Sequence, residues 1–121
     1  MENIQVKTLC QIRDIYRAIA EFETGFQERY NICLNEGMLL CTLSTSKYSS
    51  SELASTLGLT NSNTSKVIKA VESKGLVKRI MGETDKRQMY FVLTENGRDK
   101  LSAIKCDEFQ MPQILETVIH P

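Results

Sequence analysis

"SSSELASTLGLTNSNTSKVIKAVESKG", residues 49–75, decides the fold. Its crowd of Ser, Thr and Asn has the composition of a linker, but the order is that of two helices and a turn. Ser49 followed three residues later by Glu52 is a capping-box signature, and Leu53, Ala54 and Leu57 then fall on one helical face. Gly58 closes that helix, because a C-terminal turn calls for a left-handed backbone that glycine adopts without steric cost. Thr60 opens the next helix as its N-cap, Thr64, Val67, Ile68 and Val71 form its buried stripe, and Gly75 ends it after about Lys74. Two helices joined by Gly58, Leu59 and Thr60 make a helix-turn-helix.

The exposed face of the second helix then reads Asn61, Ser62, Asn63, Ser65, Lys66, Lys69. Short hydrogen-bonding side chains near the N-terminus, with lysines one and two turns along, suit base edges and phosphates in a major groove. A helix face turned only to water would mix Glu with Lys, and Glu72 alone breaks the pattern here.

Working toward the C-terminus, 76–81 and 88–93 read as two strands, with Met89, Phe91 and Leu93 alternating as in a half-buried strand. Between them, residues 82–87 form a loop of glycine and mixed charges. A helix-turn-helix followed at once by a hairpin is a winged helix. Thr94 caps a final long helix, which Pro112 interrupts or restarts before ILETVI.

Toward the N-terminus, Asn35 is the expected cap of a helix over 36–44, with Met38, Leu39, Leu40 and Leu43 buried. Before it, Leu9, Ile12, Ile15, Tyr16, Ile19, Phe22 and Phe26 recur at helical spacing from Ile4 to about Tyr30, with Gly25 a weak point. So long an amphipathic helix carries more apolar surface than a small domain covers from within. Ile114, Leu115, Val118 and Ile119 add a second apolar cluster, and both are assigned to a subunit interface. The expected fold is mainly α with one small β-hairpin in a single domain, 1–121. Residues 34–105 form the winged helix-turn-helix, and 1–33 and 106–121 are dimerisation helices.

The bulk composition agrees with one globular unit. Of 121 residues, 41% are hydrophobic and 25% charged, and no run approaches the roughly 18 apolar residues of a membrane span. The first residues lack a basic region followed by an apolar stretch, which points to the cytoplasm. The net charge of zero hides an uneven distribution: −2 over residues 1–59, +4 over 60–90 and −2 over 91–121. Positive charge gathered around the helix-turn-helix and hairpin implies a local anionic partner. Cys10, Cys33, Cys41 and Cys106 show neither metal-ligand nor disulfide spacing and read as reduced packing residues, Cys10 being the candidate for any redox-sensing thiol. No metal and no cofactor are expected. The sole histidine, His120, has no partner motif, and there is no phosphate-cradling loop or nucleophile motif, so an enzyme is not expected. A winged helix serving as a protein-interaction module is the competing reading; the basic segment and the Asn/Ser/Lys face favour DNA over the aromatic and aliphatic anchors such a module needs.

LGLTNSNTSKVIKAVESKGLVKRI and ETDKRQMYFVLTENGRDKL, above all "ESKGLVKR", "DKR" and "LTENGR" at their spacing, resemble the MarR family of bacterial transcription regulators from about Leu34 to Lys105. The resemblance implies a homodimer whose outer helices associate while each winged helix grips half of a near-palindromic double-stranded DNA site. It implies a repressor-type regulator, in some members responsive to a small-molecule effector. It also implies that the helix opened by Thr60 enters the major groove and that an Asp-x-Arg element, here Asp85 and Arg87, reaches the adjacent minor groove. On the chemistry of the residues, Arg87 is the minor-groove probe, Lys86 a phosphate contact, Asp85 a carboxylate that orients an arginine, and Gly82 the residue that lets the loop turn.

Overall fold

In the structure, a computed structural model that describes residues 5–107 and 110–121, the chain forms α1 (Val6–Tyr30), α2 (Leu34–Leu43), α3 (Ser50–Leu57), α4 (Asn61–Ser73), β1 (Val77–Met81), β2 (Met89–Leu93), α5 (Glu95–Cys106) and α6 (Gln113–Ile119). The chain divides into two compact units, Met1–Asn31 with Glu108–Pro121, and Ile32–Asp107. The expected start of the first helix at Ile4 lies outside the described residues.

In the first unit α1 packs with α6, and Ala18, Phe26, Tyr30 and Leu115 are buried. Phe26 carries an aromatic row along α1, its ring centroid 5.9 Å from that of Phe22 and 4.9 Å from that of Tyr30. Gly25 does not break the helix, which runs on to Asn31, a left-handed residue (φ 59°) whose N–H bonds the Gln27 carbonyl. Asparagine tolerates that conformation better than other side chains do.

The second unit is built around Leu39, Leu40, Leu53, Val71 and Thr64, all fully buried, with Ile68 and Phe91 beside them. The helix boundaries follow from their caps. Ser49 Oγ accepts from the Glu52 N–H at 3.2 Å while the Glu52 carboxylate accepts the Ser49 N–H at 3.0 Å, the two reciprocal bonds of a capping box. Thr60 Oγ1 accepts from the Asn63 N–H at 3.1 Å, Thr94 Oγ1 accepts from the Gly97 N–H at 3.1 Å, and Gly58 (φ 68°) ends α3 in the left-handed region. Gly97 is fixed by a close approach: a Cβ there would fall on the Leu76 carbonyl oxygen.

Three expectations are corrected. Asn35 is not the cap of α2; Cys33 is, because the Glu36 carboxylate accepts the Cys33 N–H at 2.8 Å. Met38 is exposed rather than buried. Cys10, Cys41 and Cys106 are exposed, so they are not packing residues; Cys33 is half-buried, and burial pushes its thiol pKa up. Gly82 does let the loop turn, by close approach rather than by a positive φ: a Cβ there would stand 2.6 Å from the Asp85 carbonyl oxygen.

Glu36 also ties α2 to the end of α4. Lys74 Nζ donates to both of its carboxylate oxygens, at 3.1 and 2.8 Å. Burial raises the Glu36 pKa, but the Cys33 N–H and the Lys74 ammonium outweigh it and hold the carboxyl below the usual range.

Candidate nucleic-acid interface

α4 is placed by its buried stripe. Thr64, Ile68 and Val71 face the core, and the Thr64 hydroxyl donates to the Thr60 carbonyl at 2.8 Å, so a polar residue enters the core with its hydrogen bond made. The opposite side of the helix is left to solvent. Asn61, Ser62, Asn63, Ser65, Lys66 and Lys69 are all exposed, as is Thr60.

The hairpin stands beside this helix. β1 and β2 pair antiparallel in the register Val77↔Leu93, Arg79↔Phe91 and Met81↔Met89. Sequence periodicity carries no sign of a third strand contribution: Tyr48, just before α3, bridges to Phe91, its carbonyl accepting the Phe91 N–H at 2.8 Å. On the outer face Lys47 Nζ lies 4.8 Å above the Tyr90 ring. The wing is therefore fastened on the α3 side as well as by its own ladder.

A second fastening joins the wing to α4. Arg79 Nε and Nη2 donate to the two Glu72 oxygens at 2.9 and 3.0 Å, and the guanidinium lies 5.4 Å from the Phe91 ring centroid. This fork-to-fork geometry fixes direction as well as distance. It also accounts for the one acid on the polar side of α4: the charge of Glu72 is neutralised by Arg79. Arg79 is the residue that sequence reasoning missed; the signal available was an acid and an arginine seven positions apart across the Gly75 turn.

Between α4 and the wing lies an open cleft of about 480 Å³. Asn61, Ser65 and Lys69 of α4 line it together with Arg79 of β1 and Arg87 of the wing loop. Ser62, Asn63 and Lys66 are exposed on α4 but do not line it, and neither do Thr60, Asp85 and Lys86. The loop is closed by the Gly82 N–H to the Gln88 carbonyl at 2.8 Å and the Gln88 N–H to the Asp85 carbonyl at 3.0 Å. Within it, Asp85 Oδ1 accepts the Arg87 N–H at 3.0 Å and the Arg87 Nε–H at 3.4 Å, which supplies the carboxylate–arginine contact expected of that acid. Hydrogen-bonding side chains on a protruding helix, cations beside them and an arginine at a hairpin tip form a surface that can take a polyanion and read its edges.

No helix among the described residues is long and apolar enough to cross a membrane. No curated protein sequence matches the chain. Among solved structures, the transcriptional regulator BldR from Sulfolobus solfataricus is 25% identical, with a TM-score of 0.74 over 98% of this chain and 83% of that one. A mutant of MarR from E. coli, complexed with operator DNA, has a TM-score of 0.70 at 19% identity, over 84% of this chain and 76% of that one. The S. aureus MepR–DNA complex has a TM-score of 0.63 at 20% identity, over 90% and 85%. These likenesses show the MarR-type winged helix-turn-helix fold. The model of the family described as transcriptional regulator SarA/Rot matches residues 22–104. The chain thus belongs to the SarA/Rot family of transcriptional regulators and is a DNA-binding regulator of MarR-like fold.

Proposed function

We propose that this regulator grips DNA as a homodimer, with α4 of each subunit in a major groove and Arg87 of each wing in the adjacent minor groove. The observation that carries this reading is the shared cleft: Asn61, Ser65 and Lys69 from α4 meet Arg87 from the wing across one open space. Thr60, Asn61, Ser62, Asn63 and Ser65 supply short polar groups to base edges and nearby phosphates, and Lys66, Lys69 and Lys86 supply charge to the backbone. A narrow minor groove carries enhanced negative potential, which favours the guanidinium of Arg87.

The dimer rests on the first unit. Leu9, Ile12, Tyr16 and Ile19 recur along α1 in steps of three and four and are all exposed, Tyr16 at 75%, and Val118 and Ile119 of α6 are exposed as well. An apolar row of that length is covered by a second copy of the same helix in an isologous contact. Two symmetric reading helices then require a pseudo-palindrome with half-site centres roughly 34 Å apart. A dimer seated on a promoter in the cytoplasm represses by excluding polymerase.

The test is fluorescence anisotropy with a labelled duplex from upstream of the protein's own gene. Saturable binding that survives excess unrelated duplex and falls linearly with salt on logarithmic axes is the expected result. Equal displacement by any duplex, or no binding, would refute it.

A further inference from the structure

The inner face of the hairpin continues beyond the core. Residues two apart on a strand share a face, so the pairs Val77/Leu93, Arg79/Phe91 and Met81/Met89 form one row from the base of the wing to its tip. The first pair is buried. In the second, Phe91 is buried under Arg79, which Glu72 holds against α4. The third has left the core: Met81 is 61% and Met89 38% exposed. Single exposed apolar residues are common on protein surfaces, but these two stand directly opposite each other. They form the last rung beneath the loop that carries Lys86 and Arg87, and Met89 lines the same cleft as Lys69 and Arg87.

We infer that the Met81–Met89 rung is an apolar contact for DNA, packing on the deoxyribose edges that wall the minor groove beside Arg87. The inference rests on the reading that the wing meets the minor groove. The chemistry of the wall fits the pair. Between its phosphates the sugar edge presents C–H groups, so a surface that passes the phosphates there meets apolar matter. A thioether side chain is flexible and polarizable and follows such an irregular wall better than a branched one. Charge favours this occupant over a protein: Lys69 and Arg87 line the cleft with Met89 and Lys86 stands in the loop above it, so that even against the loop's Glu83 and Asp85 the surroundings keep a net positive charge, which complements phosphates. The Glu72–Arg79 clamp, one rung closer to the core, sets where the pair stands relative to α4. The contact is thereby made only when the reading helix is seated in its own groove.

The experiment uses the full chain labelled with methyl-13C methionine and titrated with the duplex bound in the anisotropy assay. The Met81 and Met89 methyl signals are expected to move and to show cross-relaxation to sugar protons. Met81→Gln and Met89→Gln are each expected to weaken binding about five- to tenfold, with the salt slope and the thermal midpoint unchanged, since an apolar contact releases no counterion. Binding of the double Gln variant as tight as wild type, or methionine signals that do not move in the complex, would overturn this inference alone. Failure of the wild-type chain to bind any duplex would overturn both it and the reading beneath it.

Discussion

Asp85 Oδ1 holds Arg87 by two bonds, from its backbone N–H at 3.0 Å and its Nε–H at 3.4 Å, while the arginine side chain stays 94% exposed. So exposed a pair adds little to stability. Its effect is directional: the carboxylate fixes the root of the arginine and leaves the far end of the guanidinium in solvent. In the proposed complex that role is what gives an acid a place beside a polyanion.

Arg87→Ala is expected to lower operator affinity about tenfold or more through loss of a charge-assisted contact. Asp85→Ala is expected to lower it several-fold, although it removes a negative charge beside DNA. Anisotropy titrations at moderate salt decide the matter. Tighter binding by Asp85→Ala would mean that the acid only tempers nonspecific attraction.

Lys66→Ala and Lys69→Ala are each expected to weaken binding to every sequence and to flatten the log–log salt slope by about one unit per lost phosphate contact. Asn63→Ala and Ser65→Ala are expected to change the preferred sequence and leave that slope in place. Binding selections from a random duplex pool, run beside the salt titrations, separate the two classes. The same effect from all four substitutions would count against α4 as the reading helix.

What was legible in the sequence was local. Ser49 with Glu52, Gly58 and Thr60 marked the ends of α3 and α4 because a cap is made by side chains within three or four residues of the backbone group they satisfy. The cap of α2 was misplaced because a cysteine seldom serves; Glu36, the half of the box that could be read, pointed to Cys33. The Tyr48–Phe91 bridge and the Glu72–Arg79 clamp depend on tertiary approach, and periodicity carries no trace of them. The site residues of α4 were legible as a polar face. That Asn61, Ser65 and Lys69 share a cleft with Arg87, while Ser62, Asn63 and Lys66 do not line it, required the placement of the wing.

Glu36→Gln is expected to destabilise the winged-helix unit by about 1–2 kcal/mol at neutral pH, allowing for the partial exposure of Lys74. The folded pKa of Glu36 is depressed, so its contribution is full above the ordinary carboxylate value of about 4.3 and is lost as pH falls through the lower folded value. Urea unfolding at a series of pH values checks both statements. A gap between wild type and variant that stays constant into strong acid would contradict the ion pair's role.

Ile12→Glu places a charge in the middle of the exposed apolar row of α1. The dimer dissociation constant is expected to rise about a hundredfold, as a carboxylate cannot be buried there without a partner. Sedimentation velocity reads the mass and circular dichroism the helix content. Val118→Glu with Ile119→Glu tests the α6 cluster in the same way and spares the buried Leu115. A wild-type chain that sediments as a monomer at micromolar concentration would remove the dimer altogether.

In the proposed complex, two copies of α4 and two wings grip one face of a duplex through both grooves. Dimethyl sulfate footprinting of the bound upstream duplex tests this most directly, because the reagent methylates guanine N7 in the major groove and adenine N3 in the minor groove. Two symmetry-related clusters of protected guanine N7 are expected, their centres about 10 base pairs apart, each flanked by protected adenine N3 where an Arg87 enters. Protection confined to a single cluster, or to one groove only, would contradict the two-groove grip.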